Sequence, residues 1–215
     1  MDNSLNRLAI YGSSGFAREV LPLVRQQQGG PLDVVFVDDD VSLWGTEVAG
    51  IPVVPFEKAV SEDRSFTLAI ADSAARRRLA SRCEASGVSF FDVQAKSAAS
   101  FDRVDVGIGL IACANVVLTS DIRIGSHFHA NIYSYVAHDC IIGDYVTFAP
   151  RVNCNGNVHI HDGAYIGTAA ILKQGRPGKP LIIGAGAVVG MGAVVTKDVE
   201  AGSVVVGNPA RVLAK

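Results

Sequence analysis

Val136-Ala137-His138-Asp139-Cys140-Ile141-Ile142-Gly143-Asp144-Tyr145-Val146-Thr147-Phe148 sets apolar residues six apart at Val136, Ile142 and Phe148. Extended backwards, the same step meets Val106, Ala112, Leu118, Ile124 and Ala130; extended forwards, Cys154, Ile160, Ile166 and Leu172. Every one is apolar or small. Such a period fits neither a helix nor a simple strand. It fits a coil of about eighteen residues with three flat faces, each sending one aliphatic side chain inward. Gly107, Gly125, Gly143 and Gly167 each follow an inward residue, where a tight corner favours a residue without a side chain. The frame breaks at Lys173-Gln174-Gly175-Arg176-Pro177-Gly178-Lys179-Pro180 and resumes at Ile183, Val189 and Val195, five residues out of step. A Gly/Pro/basic stretch of this kind is expected to loop out of the prism. Continued over the run, the hexads predict roughly five coils and a height near ~24 Å.

The chain before the hexads follows a different pattern. Leu8-Ala9-Ile10-Tyr11 reads as a buried strand closing on Gly12-Ser13-Ser14-Gly15. Phe16, Val20, Leu23 and Val24 then recur at helical spacing, and Gly29-Gly30-Pro31 ends that helix. Val34 to Val37 is a second strand, leaving through Asp38-Asp39-Asp40. Thr67 to Ala71 is a third, followed by a helix over Ala74 to Ser86 that carries Arg76, Arg77 and Arg78. Strands alternating with helices predict a small Rossmann-like parallel β/α domain. Its ligands gather at the carboxyl ends of the strands, near Ser14, Asp38 and Asp72. The fold class is therefore α/β plus β, with a boundary between residues 1–96 and 97–215.

Composition narrows the functional classes. Hydrophobic residues make up 49% of the 215, and charged residues 19%, enough apolar material for a packed core. Nineteen basic against twenty-one acidic residues give a net charge of −2, which offers nucleic acid or an anionic membrane no long-range attraction. No apolar run reaches the ~18 residues of a membrane span. The polar Met1 to Arg7 leads straight into a strand, so no secretory signal is read there. Cys83, Cys113, Cys140 and Cys154 have neither metal-site nor small-secreted-domain spacing. They are expected to be reduced, buried thiols of a cytoplasmic protein.

All five histidines, His127, His129, His138, His159 and His161, lie among the hexads. His-x-His occurs twice, but His159 and His161 flank inward Ile160 and therefore point outwards, and the other pair lies about two coils away, roughly 10 Å. Zinc needs its imidazole nitrogens at ~2 Å. The expectation is no metal site and surface histidines. His138 stands apart because Asp139 follows it at once: a histidine takes up protons near neutral pH, and a carboxylate neighbour fixes its tautomer. Asn131 offers an amide for a carbonyl or a developing oxyanion. Gly12-x-x-Gly15 lacks the full dinucleotide-binding pattern, although a helix N-terminus after Gly15 suits phosphate. Asp38 and Asp39 would accept hydrogen bonds from base or ribose.

These residues carry a resemblance. Ile142-Gly143, Ile166-Gly167, Ile183-Gly184 and the terminal Gly207-Asn208-Pro209-Ala210-Arg211 resemble the left-handed β-helix hexapeptide acyltransferases. With Ile10 to Gly15, Phe36-Val37-Asp38-Asp39 and Val136 to Gly143, nearly the whole chain is similar to the acetyltransferases of nucleotide-linked amino sugars. That family includes the bacillosamine N-acetyltransferase and the sialic-acid O-acetyltransferases. The resemblance implies a left-handed parallel β-helix, a homotrimer with active sites between subunits, acetyl-CoA as co-substrate and a role in surface polysaccharide biosynthesis. It implies His138 as general base, Asp139 as its acidic partner and Asn131 as the active-site asparagine. Ser14, Gly15, Phe16, Asp38, Asp39 and Arg76 fall on nucleotide-sugar contacts; Gly156, Thr168, Met191 and Gly192 fall on acetyl-CoA contacts. The family commonly has histidine where Phe16 and Thr147 stand here. The implied reaction is N-acetylation of a nucleotide-linked 4-amino-4,6-dideoxy sugar. An O-acetyltransferase of the sialic-acid type and a non-catalytic nucleotide-binding β-helix are the alternatives.

Overall fold

The computed structural model describes residues 7–28 and 32–213. Residues 1–6 of the polar N-terminal stretch and the Gly29-Gly30-Pro31 helix stop lie outside the described residues. The chain divides into two compact units, Met1–Lys96 and Ser97–Lys215.

The first unit alternates β1 (Arg7–Tyr11), α1 (Gly15–Gln28), β2 (Asp33–Val37), β3 (Glu47–Val48), β4 (Ile51–Val54), α2 (Phe56–Ser61), β5 (Ser65–Leu68) and α3 (Ser73–Ala85). The sheet order is β3-β4-β2-β1-β5, parallel from β4 to β5, with β3 antiparallel to β4. This is the Rossmann-like arrangement. β1 is an interior strand flanked by β2 and β5, and its Ala9 and Ile10 are fully enclosed. α1 lays Ala17, Val20, Leu21, Leu23 and Val24 inward, while Phe16 is half-buried. The third strand begins and ends earlier than its apolar run suggests, at Ser65–Leu68. β3 and β4 escape a reading by pattern for a physical reason. Pro52 interrupts the second of them, and the turn uses Ala49 and Gly50 at φ 52° and 72°, a left-handed conformation that alanine rarely signals.

The second unit is the left-handed β-helix. Its strands stack into three parallel sheets, and the register repeats as Val117↔Tyr135↔Asn153↔Ile171, one coil per step. The core contains more than the sequence frame anticipates. Each hexad sends two residues inward: besides Leu118, Ile124, Val136 and Ile142, the positions two residues earlier, Val116, Ile122, Ser134 and Cys140, are also buried. Phe128 and Phe148 meet edge to face at 5.1 Å in the centre. Ser134 is the polar exception, satisfied by donating to the Ala149 carbonyl at 3.0 Å and accepting from Val152 N–H at 3.1 Å. Val106, expected inward, is 36% exposed, since it lies on the outermost strand of its sheet.

The corners also differ from expectation. The left-handed residue of each corner is the third after the inward one, and it is more often not glycine: Asn115, Asp121, His127, Tyr133, Asp139, Tyr145, Arg151 and Asn157 all have φ between 55° and 60°, whereas Gly109, Gly163, Gly186 and Gly192 hold the same position in other corners. The glycines beside the inward residues serve coil-to-coil approach instead. A Cβ on Gly107 would lie 2.8 Å from the Gly125 carbonyl carbon in the next coil. His127 and His129 are not surface residues: both are 1% exposed. His127 stacks on Tyr145 at 5.2 Å and lies against Gly109, which leaves no room for a side chain there. After the excursion at 173–180 the stack resumes with Leu181–Ile183 paired to Val158–Ile160. At its far end Arg211–Val212 runs antiparallel to Val204–Val206. The Gly207-to-Ala210 motif makes that reversal, wrapping Val194 through Val194 N–H to Gly207 O at 2.9 Å and Ala210 N–H to Val194 O at 2.8 Å. No helix among the described residues is long and apolar enough to cross a membrane.

Candidate active site

His138 leaves the prism two residues past the Tyr135–Val136 strand, at a corner, and half of its side chain is exposed. Asp139 takes the left-handed corner conformation (φ 59°). That backbone turn swings its carboxylate back to the imidazole, 2.7 Å from Nδ1 to Oδ2. An accepting carboxylate fixes the proton on Nδ1 and leaves the Nε2 lone pair outward, the tautomer a general base needs. Nε2 has no partner among the described residues. Gly156 stands one coil on, where a Cβ would lie 2.6 Å from Nε2. Asn157 N–H donates to the His138 carbonyl at 2.9 Å and ties the two coils together. Beside them Tyr135 Oη donates to Asn155 Oδ1 at 2.8 Å.

The other prism residues gather at the preceding corner. Asn131 follows the His129–Ala130 strand, and its Oδ1 accepts from Ile132 N–H at 2.7 Å. Thr168 and Gly192 belong to the same corner in later coils, joined by Gly192 N–H to Thr168 O at 2.8 Å. Met191 between them is 80% exposed. Thus His138, Asp139 and Gly156 cluster on one edge of the Tyr135–Val136 face, whereas Asn131, Thr168, Met191 and Gly192 line the opposite edge. Within one chain these are two separate groups of residues.

Cys140, two residues from His138, is not a nucleophile in waiting. It is buried, with Sγ 3.3 Å from the Asn155 carbonyl and 4.0 Å from Cys154 Sγ. The Cys154 thiol is held well above its usual range by its hydrogen bond to Cys140 and by full burial. None of the four cysteines is in a disulfide, and all are buried.

In the first unit the register Tyr11↔Val37 sets the loop after β1 beside the three aspartates after β2. Gly12 turns there at φ 102°, where a Cβ would lie 2.8 Å from Ile70. Ser13 Oγ donates to Asp38 Oδ2 at 2.6 Å, and Trp44 Nε1 donates to the Asp38 carbonyl at 2.8 Å. Asp39 accepts from Tyr11 Oη and Arg82, both at 2.8 Å, while Glu57 takes the other Arg82 nitrogen at 2.7 Å. Burial and the bond to Asp39 push the Tyr11 hydroxyl upward, so it stays a donor. Asp40 is occupied in capping the short turn at Ser42. In front of α1, Ser14 and Gly15 are exposed, and a Cβ on Gly15 would meet only Arg18, at 4.0 Å. Arg76 is fully buried and donates to the Ile70 and Ala71 carbonyls at 2.7 and 3.2 Å. Its guanidinium shapes the strand exit from behind. Ser13, Tyr11 and Arg82 were not singled out from sequence, because only the strand order brings them to the aspartates; Trp44 reaches Asp38 through the short turn after Asp40. Among the described residues no group of three or more His, Cys, Asp or Glu side chains could hold a metal.

Residues 7–83 match the PglD N-terminal domain family. Over 214 residues the chain is 44% identical to a GDP-perosamine N-acetyltransferase of Escherichia coli O157:H7, covering 96% of each. The chain belongs to the nucleotide-sugar N-acetyltransferases. Among solved structures, this family member is similar to WeeI from Acinetobacter baumannii AYE, with 54% identity, a TM-score of 0.93 and coverage of 96% and 99% of the two chains. It is also similar to PerB from Caulobacter crescentus in complex with CoA and GDP-perosamine, with 27% identity, a TM-score of 0.86 and coverage of 98% and 99%.

Proposed function

We propose that this N-acetyltransferase moves the acetyl group of acetyl-CoA directly onto the amine of a nucleotide-linked 4-amino-4,6-dideoxy sugar, with His138 as general base. The observation that carries the reading is the Nδ1–Asp139 bond, which leaves Nε2 unpartnered among the described residues. The amine attacks the thioester carbonyl, the C–N bond forms, Nε2 takes the amine proton, and the C–S bond breaks to release CoA thiolate. The Gly156 amide, which donates to no backbone acceptor among the described residues, is suited to steady the oxyanion. No acyl-enzyme is needed, in keeping with four buried thiols.

Ser14 and Gly15, with the open space in front of α1, receive the diphosphate. Asp38 and Asp39, pre-set by Ser13, Tyr11 and Arg82, accept hydrogen bonds from the base or ribose. Phe16, half-buried at the start of α1, offers the sugar an apolar contact, and Arg76 supports that exit without touching the ligand. Acetyl-CoA runs past Gly156, Thr168, Met191 and Gly192. Because these lie on opposite edges of one face, a homotrimer in which one chain's His138 edge meets another's Asn131 edge would complete each site. Outward Ile132, Tyr133, Tyr165 and Ile171 supply apolar surface for such an interface. A cytoplasmic setting suits free thiols and acetyl-CoA, and the product suits surface polysaccharide assembly.

The test is acetyl-CoA turnover on GDP-, UDP- and dTDP-linked 4-amino sugars, beginning with GDP-perosamine, beside matched hydroxy sugars. An N-acetylated amino sugar with stoichiometric CoA release is expected. Acetylation of the hydroxy sugars alone, or none at all, overturns the proposal.

A further inference from the structure

Lys173 to Pro180 leave the coil on the corner that also carries His138. Gly156 follows His138 by one coil and Gly175 comes next, its N–H donating to the Gly156 carbonyl at 2.9 Å. A Cβ on Gly175 would collide with the Asn157 carbonyl and lie 2.6 Å from Leu181 N, so glycine is required where the chain steps out. Beyond it Arg176 and Lys179 form an antiparallel bridge with reciprocal backbone bonds of 3.0 and 2.9 Å. Pro177 and Gly178 join them, with Gly178 at φ 72°, as a tight Pro-Gly turn requires. The hairpin thereby fixes two cations directly opposite each other, a pairing that repels. Lys173 and Lys197 are the other cations lining a cavity of about 400 Å³ whose one carboxylate is Asp198. Four cations against one carboxylate leave three positive charges in excess. Asp198 is turned to the Ile182 N–H at 3.0 Å, and among the described residues none of the four cations forms an ion pair.

Four unpaired cations held together around a concave site call for a polyanion, and phosphate oxygens satisfy Arg and Lys best. We propose that this cavity seats the phosphate groups of acetyl-CoA, while the acetylated arm runs along the corner past Gly156 to His138. The inference rests on the acetyl-transfer reading above. Gly175 lies two coils from His138, about 10 Å at ~4.8 Å per coil, and the hairpin reaches further, a span that an extended pantetheine arm covers. The nucleotide-linked sugar also carries a diphosphate; the corner shared with His138 and Gly156 favours the coenzyme.

The experiment compares the wild-type enzyme with an Arg176→Ala/Lys179→Ala variant, using acetyl-CoA, phosphate-free acetyl-pantetheine and the nucleotide sugar. The substituted side chains are exposed, so an unchanged circular-dichroism melt is expected. KM for acetyl-CoA should rise about tenfold or more, the loss of one to two charge-assisted bonds. Turnover of acetyl-pantetheine and KM for the nucleotide sugar should stay as in wild type. An unchanged KM for acetyl-CoA overturns the site, as does an equal loss with acetyl-pantetheine. A rise confined to the nucleotide sugar assigns the cavity to the other diphosphate and overturns the proposal. Calorimetry with adenosine 3′,5′-bisphosphate separates the two readings: binding to wild type but not to the variant, without any acetyl transfer, would sink the transferase reading and leave the anion seat standing.

Discussion

Gly156 leaves His138 no clearance: a Cβ added to Gly156 would fall 2.5 Å from Cε1 and 2.6 Å from Nε2 of the ring. The imidazole lies flat against bare backbone on one side and is tethered through Nδ1 to Asp139 on the other. Its position is thus fixed by a missing side chain as much as by a hydrogen bond.

Gly156→Ala should therefore push the ring off the Asp139 carboxylate. Because the ring is half exposed it can yield, so folding stability should change by less than about 1 kcal/mol. The rate should fall roughly 10- to 100-fold. Steady-state kinetics beside a thermal melt checks both.

His138→Ala should lower kcat by ~10²-fold or more through loss of the proton acceptor. Asp139→Asn should cost less, about tenfold, by releasing the tautomer rather than removing the base. Rates near wild type for His138→Ala in the amine-transfer assay would remove it from the mechanism.

Ser13→Ala deletes the 2.6 Å bond that presets Asp38. One such bond is worth about 1 kcal/mol, so KM for the nucleotide sugar should rise roughly fivefold, with KM for acetyl-CoA unchanged. A change in the acetyl-CoA constant instead would separate Asp38 from nucleotide binding.

Burial pushes the Cys83 thiol up to about 12, with Arg82 opposing. A pKa raised in the folded state means that the unfolded chain loses this proton first. Stability is intact below about pH 9, where a free thiol ionises, and declines as pH climbs towards 12. Tyr11, also raised by burial, adds to the same alkaline loss. Urea unfolding at stepped alkaline pH should show the decline, and Cys83→Ala should flatten part of it. Native protein should also resist thiol reagents until denatured.

Phe148→Ala should destabilise by about 3–5 kcal/mol, since the ring is wholly enclosed and makes the edge-to-face contact with Phe128. Chemical denaturation measures it directly.

The hexad period was legible because inward Val136, Ile142 and Phe148 recur without a slip, and the excursion at 173–180 because glycine, proline and lysine cannot continue a prism. The second inward position was not, since Ser134 and Cys140 among its members disguise it. Nor were the corners. Tyr133 and Arg151 in a left-handed conformation contradict local preference, and they persist because Tyr133 N–H to Ala114 O and Arg151 N–H to Ile132 O hold the coils together. His138 and Asp139 could be paired from adjacency alone. Arg82 could not be paired with Asp39, because 43 positions separate them and only the pairing of β1 with both β2 and β5 closes that gap. His127 and His129 read as surface residues because the hexad phase fixes only which side chains enter the prism, not what packs beside the others: His127 stacks on Tyr145, and both are buried.

A pile of parallel coils has no natural last member: its final strand presents the same open hydrogen-bonding edge as every strand beneath it, a template for another molecule to add to. Arg211–Val212 lies across that edge in the opposite sense, so a second prism arriving in register would meet a strand pointing the wrong way. The reversal at Gly207 to Ala210 thus closes one of the three faces to a further parallel coil.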